Sequence, residues 1–336
     1  LIISATGILG YAENFEKDLR FKQIKNNIND FIGLDQFNKN NWFSIKDLHI
    51  NDNKIFVSYT EEIEENCWTT SIIFSEINYS EINFKKLFSN DTCILDELLP
   101  GGDGIEGKEF NGHQSGGKII SLNNNEILFS VGDYRQRHNA QNSKNIFGKI
   151  IKINITLKDN KYEIFSMGHR NPQGLLYDKE NNLILSTEHG PAAGDEINLI
   201  NVNNEKIPNY GWAIASYGEH YGGKNIGANK IKYERYPLLK SHKNNDFIEP
   251  LKYFVPSIAI AEIVAVNNKS YIASSMKEIN GDHGGGIYLF DLDDEKLIKN
   301  FVNVSIKERV RDIVYKDNKL LLYLEDTASI GIINLN

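Results

Sequence analysis

Arginine is scarce in this chain, so the places where it falls carry information. Of 37 basic residues, only Arg20, Arg135, Arg137, Arg170, Arg235, Arg309 and Arg311 are arginines. A guanidinium is a planar fork that grips a carboxylate bidentately, which a lysine does not do. Arg170 sits in the polar turn GHRNPQG, and Arg309 and Arg311 open the segment RVRDIVY. Two residues apart on a strand, the latter two share a face. If all three meet, they imply an anionic ligand. For the Arg309–Arg311 pair alone, simple ion pairing with Glu308 and Asp312 is the plainer alternative. Lys277, at the end of YIASSMK, can add a further cation. His113, in NGHQSGG, and His189, in TEHGP, are each open to two readings. A neutral imidazole can serve as a general base, and a loop histidine can equally do no more than bond its own backbone. The run HGPAAGDE offers the carbonyls of Gly190 and Pro191 with the carboxylates of Asp195 and Glu196. Hard oxygen donors in an irregular turn suit Ca²⁺, although this spacing is not that of an EF-hand.

These groups need strands to hold them. Residues Gly168–Asn198 read as one hairpin, with strands at Leu175–Tyr177 and Leu183–Thr187 and a polar turn at each end. The same unit, strand–turn–strand around an Asn/Asp/Lys turn, recurs at Ile45–Glu61, Lys118–Asp133, Gly174–Gly190, Ala261–Lys277 and Val310–Thr327. Leu1–Tyr11 resembles the second half of a further copy. Each copy is followed by more strand-like sequence, such as GIYLFDL (Gly286–Leu292), and helical periodicity is weak throughout. About four strands per repeat is the pattern of a β-propeller. The expected fold is therefore all-β: a six-bladed propeller of four-stranded antiparallel blades, with the first blade incomplete at the N-terminus. The whole chain, 1–336, reads as one domain, interrupted by a loop excursion over about residues 201–256. In a propeller the starts of inner strands gather at one end of the channel, so Arg170, Arg309, Arg311, His113 and Lys277 are expected to converge there.

Composition narrows the function classes. The chain has 336 residues, 40% of them hydrophobic, which permits a sizeable core. A net charge of −8 argues against a nucleic-acid partner, and no apolar run approaches the roughly 18 residues of a membrane span. The first residues already read as a strand, so no leader segment is legible, although one removed upstream would leave the same chain. Cys67 and Cys93 flank a strand pair whose register would bring them opposite one another; a cross-strand disulfide and two reduced thiols both remain open. No P-loop, HExxH, G-x-S-x-G elbow or Rossmann fingerprint occurs.

GHRNPQGL, STEHGP followed by GDEINLI, NYGW, HQSGGKI and ERVRDIVYKDNKLLLYLEDT together resemble the soluble pyrroloquinoline quinone (PQQ)-dependent sugar dehydrogenases. The TEHGP form is similar to the aldose sugar dehydrogenase branch. The resemblance runs from about residue 40 to the end and is densest between His113 and Trp212. It implies a six-bladed propeller that binds PQQ and Ca²⁺ and oxidises aldoses at C1 to lactones by hydride transfer, passing electrons to an external acceptor. It implies His113 as the base, and Arg170 and Asn171 on the quinone oxygens. His189 joins the cofactor set, and Lys277, Arg309 and Arg311 hold the cofactor carboxylates. Gly190 and Pro191 would ligate one calcium, and Glu196 with the Tyr210 backbone a second. A periplasmic or secreted location is implied as well.

The largest departure from the family pattern is the missing half blade, and single-residue departures bear on affinity and sugar choice. Asn40, Tyr134 and His189 stand where some members have Gln, and Gly112 precedes His113 where an acid is found. Tyr134, Trp212, Tyr217 and Tyr221 are candidate aromatic walls for a sugar ring, or loop packing. The main alternative function is a non-catalytic propeller that binds a glycan or a protein. A calcium-dependent hydrolase is a weaker reading, because cations, not carboxylates, are expected at the channel.

Overall fold

The computed structural model describes residues 1–13, 20–32, 45–95, 112–157, 161–224, 229–279 and 283–335. Asn40 lies outside them. The fold is an all-β six-bladed propeller, and the described strands form six sheets. The chain divides into two compact units, one of residues 1–136 and 144–164, the other of 137–143 and 165–336.

In the first unit, the opening sheet runs Ile2–Ile3, Leu9–Tyr11 and Lys22–Asn26. It is completed by Glu81–Ile82, which adds in parallel through Lys25↔Glu81. This blade is incomplete, as the half-repeat at the start of the sequence implies, and its fourth place is filled by a two-residue strand from the following repeat. The second sheet runs Ile45–Asn51, Lys54–Glu64, Cys67–Glu76 and Lys85–Phe88, with Ile94–Leu95 also on Cys67–Glu76. That last pairing sets Cys67 against Leu95, and Cys67 and Cys93 form a disulfide with a Cα–Cα distance of 5.3 Å. The third sheet runs Gly116–Ser121, Glu126–Val131, Lys149–Asn154 and Tyr162–Met167. Its apolar face packs on the second sheet through Phe56, Ile72, Phe88, Ile127 and Phe129. Buried polar pins fix the alignment: Asp47 accepts from Lys118 Nζ at 2.9 Å and from the Ile119 amide at 2.8 Å.

In the second unit, the fourth sheet is Pro172–Asp178, Leu183–Glu188, Asp195–Asn201 and Lys252–Phe254. Its outer strand comes from the far end of the excursion that the sequence leaves without periodicity; Asp195↔Phe254 and Ile197↔Lys252 set its register. The fifth sheet is Ile260–Asn267, Ser270–Ser275, Gly285–Leu292 and Ile298–Glu308. The sixth has three described strands, Val310–Lys316, Lys319–Leu324 and Ser329–Asn334, where four are expected. Leu183, Leu185, Ile263, Tyr271 and Phe290 join the fourth sheet to the fifth, and the Tyr271 hydroxyl donates to Asp178 at 2.5 Å.

One irregularity recurs. The first strand of each of the last five sheets slips register near its start: at Ile45/Asp47, Gly116/Ile119, Pro172/Gly174, Ile260/Ile263 and Val310/Asp312. A bulge re-aims the side chain it contains. Arg311 is the extra residue of one such bulge and Gln173 of another.

Candidate active site

The hairpin Pro172–Asp178/Leu183–Glu188 has the expected form, with Pro172 opposite Glu188. Residues 169–171 and 189–191 therefore leave its open end side by side. The His189 amide donates to the Asn171 carbonyl at 3.1 Å, and Arg170 Nη1 donates to the His189 carbonyl at 3.0 Å. Asn171 Nδ2 lies 3.4 Å from His189 Nδ1.

A buried chain fixes Arg170 from behind. Ser166 Oγ is 2.8 Å from His169 Nε2, and His169 Nδ1 is 2.9 Å from Glu188 Oε2. The other Glu188 oxygen accepts the Arg170 amide. His169 stacks on Tyr210, with centroids 4.9 Å apart. The Arg170 guanidinium lies 5.4 Å from the Trp212 ring, and Arg137 lies 5.6 Å from it. Sequence patterns assign no role to Glu188 or His169; only the register, which sets Glu188 beside the turn, reveals one.

The second turn is equally constrained. A Cβ on Gly190 would sit 2.1 Å from the Gly194 carbonyl oxygen, so the loop closes only around glycine. Asp195 holds it: Oδ1 accepts the Gly190 amide at 3.1 Å, and Oδ2 accepts Ser257 Oγ at 2.7 Å and the Ile260 amide at 3.3 Å. Asp195 thus positions the carbonyl-bearing turn from the inside.

Between these turns lies a small polar cavity with room for roughly one water-sized occupant. Arg170, Glu188, His189, Glu196, Trp212 and His242 are among the residues lining it. Glu196 is buried, accepts Asn198 Nδ2 at 3.3 Å and faces His242 Nε2 at 3.5 Å. Burial and the neighbouring Glu188 charge raise its carboxyl well above the usual range. Asn198 Oδ1 is buried without a hydrogen-bond partner. Tyr210 lines the cavity and places its hydroxyl on the Leu199 carbonyl at 2.6 Å.

His189 shows where the cations lie. It is buried, and its Nε2 has no hydrogen-bond partner. Burial lowers its affinity for a proton, the charges of Arg170 and Arg311 act in the same direction, and Asp195 opposes them. Arg170 and Arg311, 141 positions apart in the numbering, thus act on one imidazole. Two nitrogens of Arg311, Nε at 2.9 Å and Nη2 at 2.7 Å, converge on one Glu325 oxygen, Oε2, and Arg309 Nε lies 3.4 Å from the same oxygen. Both arginines pair with Glu325, not with Glu308 or Asp312. The hairpin register places Val310 opposite Leu324 and so carries Glu325 back to Arg309. Lys277 is exposed at the start of the loop after Ser270–Ser275, where it bridges to His283.

His113 belongs to the first unit. Its surroundings hold it neutral: burial first, then the positive charges of Arg135 and Lys46, lower its pKa to about 4. The aromatic candidates separate. Tyr134 is in the core, its hydroxyl on Thr70 and its ring against Phe147. Trp212 lines the cavity. Tyr217 stacks on Tyr253 with centroids 3.6 Å apart, and Tyr221 is exposed.

Residues 45–334 match the family model described as glucose/sorbosone dehydrogenase. The chain belongs to the glucose/sorbosone dehydrogenase family. Among curated relatives, it is 32% identical over 231 residues to an aldose sugar dehydrogenase of Escherichia coli (strain K12), covering 65% of this chain and 58% of that one. It is also 32% identical over 151 residues to quinoprotein glucose dehydrogenase B of Acinetobacter calcoaceticus, covering 35% and 30%. The chain spans about half the length of an uncharacterised Synechocystis relative, 51%, at 31% identity. In fold it is similar to a crystal structure of a glucose dehydrogenase, with a TM-score of 0.67 at 20% identity over 87% of this chain and 82% of that one. The apo-form aldose sugar dehydrogenase of Escherichia coli gives 0.64 at 19% identity, over 84% and 78%.

The residues of this glucose/sorbosone dehydrogenase family member fit the groups that the resemblance implies. A buried imidazole nitrogen without a hydrogen-bond partner, in the field of the Arg170 and Arg311 charges, suits a polycarboxylate quinone. Glu196 beside Glu188, with an orphaned Asn198 oxygen, suits a hard cation. Among the described residues no three His, Cys, Asp or Glu side chains form a metal cluster, so a cation here would draw on backbone carbonyls.

Proposed function

We propose that this chain is a quinoprotein oxidoreductase that uses PQQ and Ca²⁺ to oxidise aldose sugars at C1 to lactones. The observation that carries this is the buried His189, whose carbonyl accepts Arg170 Nη1 at 3.0 Å, whose Nε2 has no hydrogen-bond partner, and whose proton affinity the charges of Arg170 and Arg311 lower. The family membership and the names of the relatives support it. Arg309, Arg311 and Lys277 would hold the carboxylates of PQQ, and Arg170, Asn171 and His189 its quinone side. When bound, that group supplies a two-electron acceptor for the hydride leaving the sugar's C1.

The protein's own part is acid–base and electrostatic. His113, neutral above about pH 4, would take the proton of the anomeric hydroxyl. Arg170, its amide clamped by Glu188 and its guanidinium over Trp212, would offset charge developing on the acceptor. The carbonyls of Gly190 and Pro191, in a turn held by Asp195, would ligate one Ca²⁺; Glu196 and the Tyr210 carbonyl would ligate another. The Cys67–Cys93 disulfide supports a periplasmic or secreted location. No helix among the described residues is long and apolar enough to cross a membrane.

The test is reconstitution with PQQ and Ca²⁺ followed by dye reduction with a panel of aldoses. The reading expects turnover that His113→Ala abolishes and Lys25→Ala leaves intact. A protein that neither turns over nor gains thermal stability on adding PQQ would instead be a binding propeller.

A further inference from the structure

The excursion carries charge of the opposite sign to the rest of the molecule. Residues 221–243 contain Lys224, Lys230, Lys232, Arg235, Lys240 and Lys243 against the acid Glu234, a net of +5 in a chain of net −8; Glu219, just outside this stretch, pairs with Lys240 at 3.1 Å. Lys224, Lys230, Arg235, Lys240 and Lys243 are exposed, and so are Tyr221 at 64%, Ile231 at 55% and Leu239 at 38%. A cationic surface carrying exposed aromatic and aliphatic anchors has the make-up of a transient protein interface.

Its underside is fixed to the site. Tyr236 and Leu238 pack with Trp212, whose ring carries Arg170. Lys240 Nζ straps the segment down on the Ser216 carbonyl at 3.0 Å and the Gly218 carbonyl at 2.6 Å. Ser216 and His242 line the cavity. The outer face of the patch and the inner wall of the candidate active site are thus two sides of one segment.

We infer that this patch docks an acidic one-electron redox protein that takes electrons from the site. The inference rests on the function proposed above. Oxidation of an aldose to its lactone releases two electrons and two protons; the electrons pass one at a time to two acceptor molecules docked in succession, and the protons go to solvent. A membrane surface fits less well, because the helix here, Asn229–Arg235, has only seven residues and the patch holds no extended amphipathic face.

The experiment uses the PQQ- and Ca²⁺-loaded protein with cytochrome c in two forms, succinylated (acidic) and native (basic), and a neutral dye as control. At low ionic strength the acidic form should be reduced at least ~10-fold faster than the basic one, and the gap should close with salt. The triple variant K224E/K230E/K243E should lose or invert this preference while dye reduction and melting temperature stay unchanged. Immobilised protein should likewise retain succinylated cytochrome, and the triple variant should not, a readout independent of turnover. Equal reduction and retention of the two cytochromes would overturn the docking proposal. So would a triple variant that keeps the preference, or binding to anionic vesicles with no cytochrome preference. If dye reduction fails while retention behaves as stated, the dehydrogenase reading falls and the acidic-protein surface stands.

Discussion

Arg311→Met gives a quantitative test of the cation cluster. In the structure the Arg311 guanidinium makes two bonds to Glu325, with both side chains about a third exposed (34% and 36%). An exposed pair of this kind contributes about 1 kcal/mol or less to stability, so the melting temperature should fall by no more than about 4 °C. Binding of a polycarboxylate should suffer far more. A hydrogen bond to a charged group is worth roughly 1.5–3 kcal/mol, which is about 10- to 150-fold in the dissociation constant of PQQ. Glu325, left with Arg309 alone, would add repulsion, so R311M/E325Q should recover part of the loss and separate the two causes. Isothermal titration of PQQ in Ca²⁺ buffer reads the affinity. Nitrogen-detected NMR of His189 supplies a second readout, because removing one of the charges that depress its proton affinity should raise its pKa. An unchanged PQQ affinity in R311M, with the His189 titration also unmoved, would refute the placement of Arg311 at the site.

Other expectations follow from the same geometry. With a His113 pKa of about 4, the imidazole is about 97% neutral at pH 5.5, against about 9% at the ordinary 6.5. The ascending limb of kcat/KM should therefore lie near pH 4, with a flat profile between pH 5.5 and 7.5, and a limb near 6.5 would remove His113 as the base. Calcium at 100 times its dissociation constant should stabilise the protein by about 2.7 kcal/mol, and Glu196→Gln should erase most of that gain in a thermal melt. Reducing the Cys67–Cys93 bridge, which closes a separation of 26 residues, should cost about 3.5 kcal/mol in urea unfolding. Tyr271→Phe leaves the buried Asp178 without one donor and should cost about 1–3 kcal/mol by the same measurement.

Much of this was legible in local pattern. The hairpin around Gly168–Asn198 shows in the short apolar run LIL between polar turns, a run without alternation because the strand is buried along its whole length. Cys67 and Cys93 sit at similar distances from one turn, which makes a bridge possible but leaves reduced thiols equally open; the structure shows the disulfide. Glu325 is not visible from Arg309 or Arg311, whose nearest acids in sequence are Glu308 and Asp312. It becomes visible only by counting back across the turn at Asp317–Asn318, and the bulge at Val310/Asp312 shifts that count. Tyr134 reads as a site residue because it follows VGD, yet its hydroxyl is satisfied by Thr70 from another sheet, a contact that no local pattern encodes. The strand Lys252–Phe254 is hidden for a similar reason. Three residues are too short to show a period, and long-range pairing with Asp195–Ile197 creates it.

The most direct measurement is a stoichiometric titration of the Ca²⁺-loaded protein with PQQ, followed by absorbance as an aldose is added. The account predicts saturation at one PQQ per chain and a prompt loss of the oxidised quinone band with sugar, both weakened in Arg170→Ala. A protein that leaves the PQQ spectrum untouched at micromolar concentrations, or binds it equally well without Arg170, would contradict it.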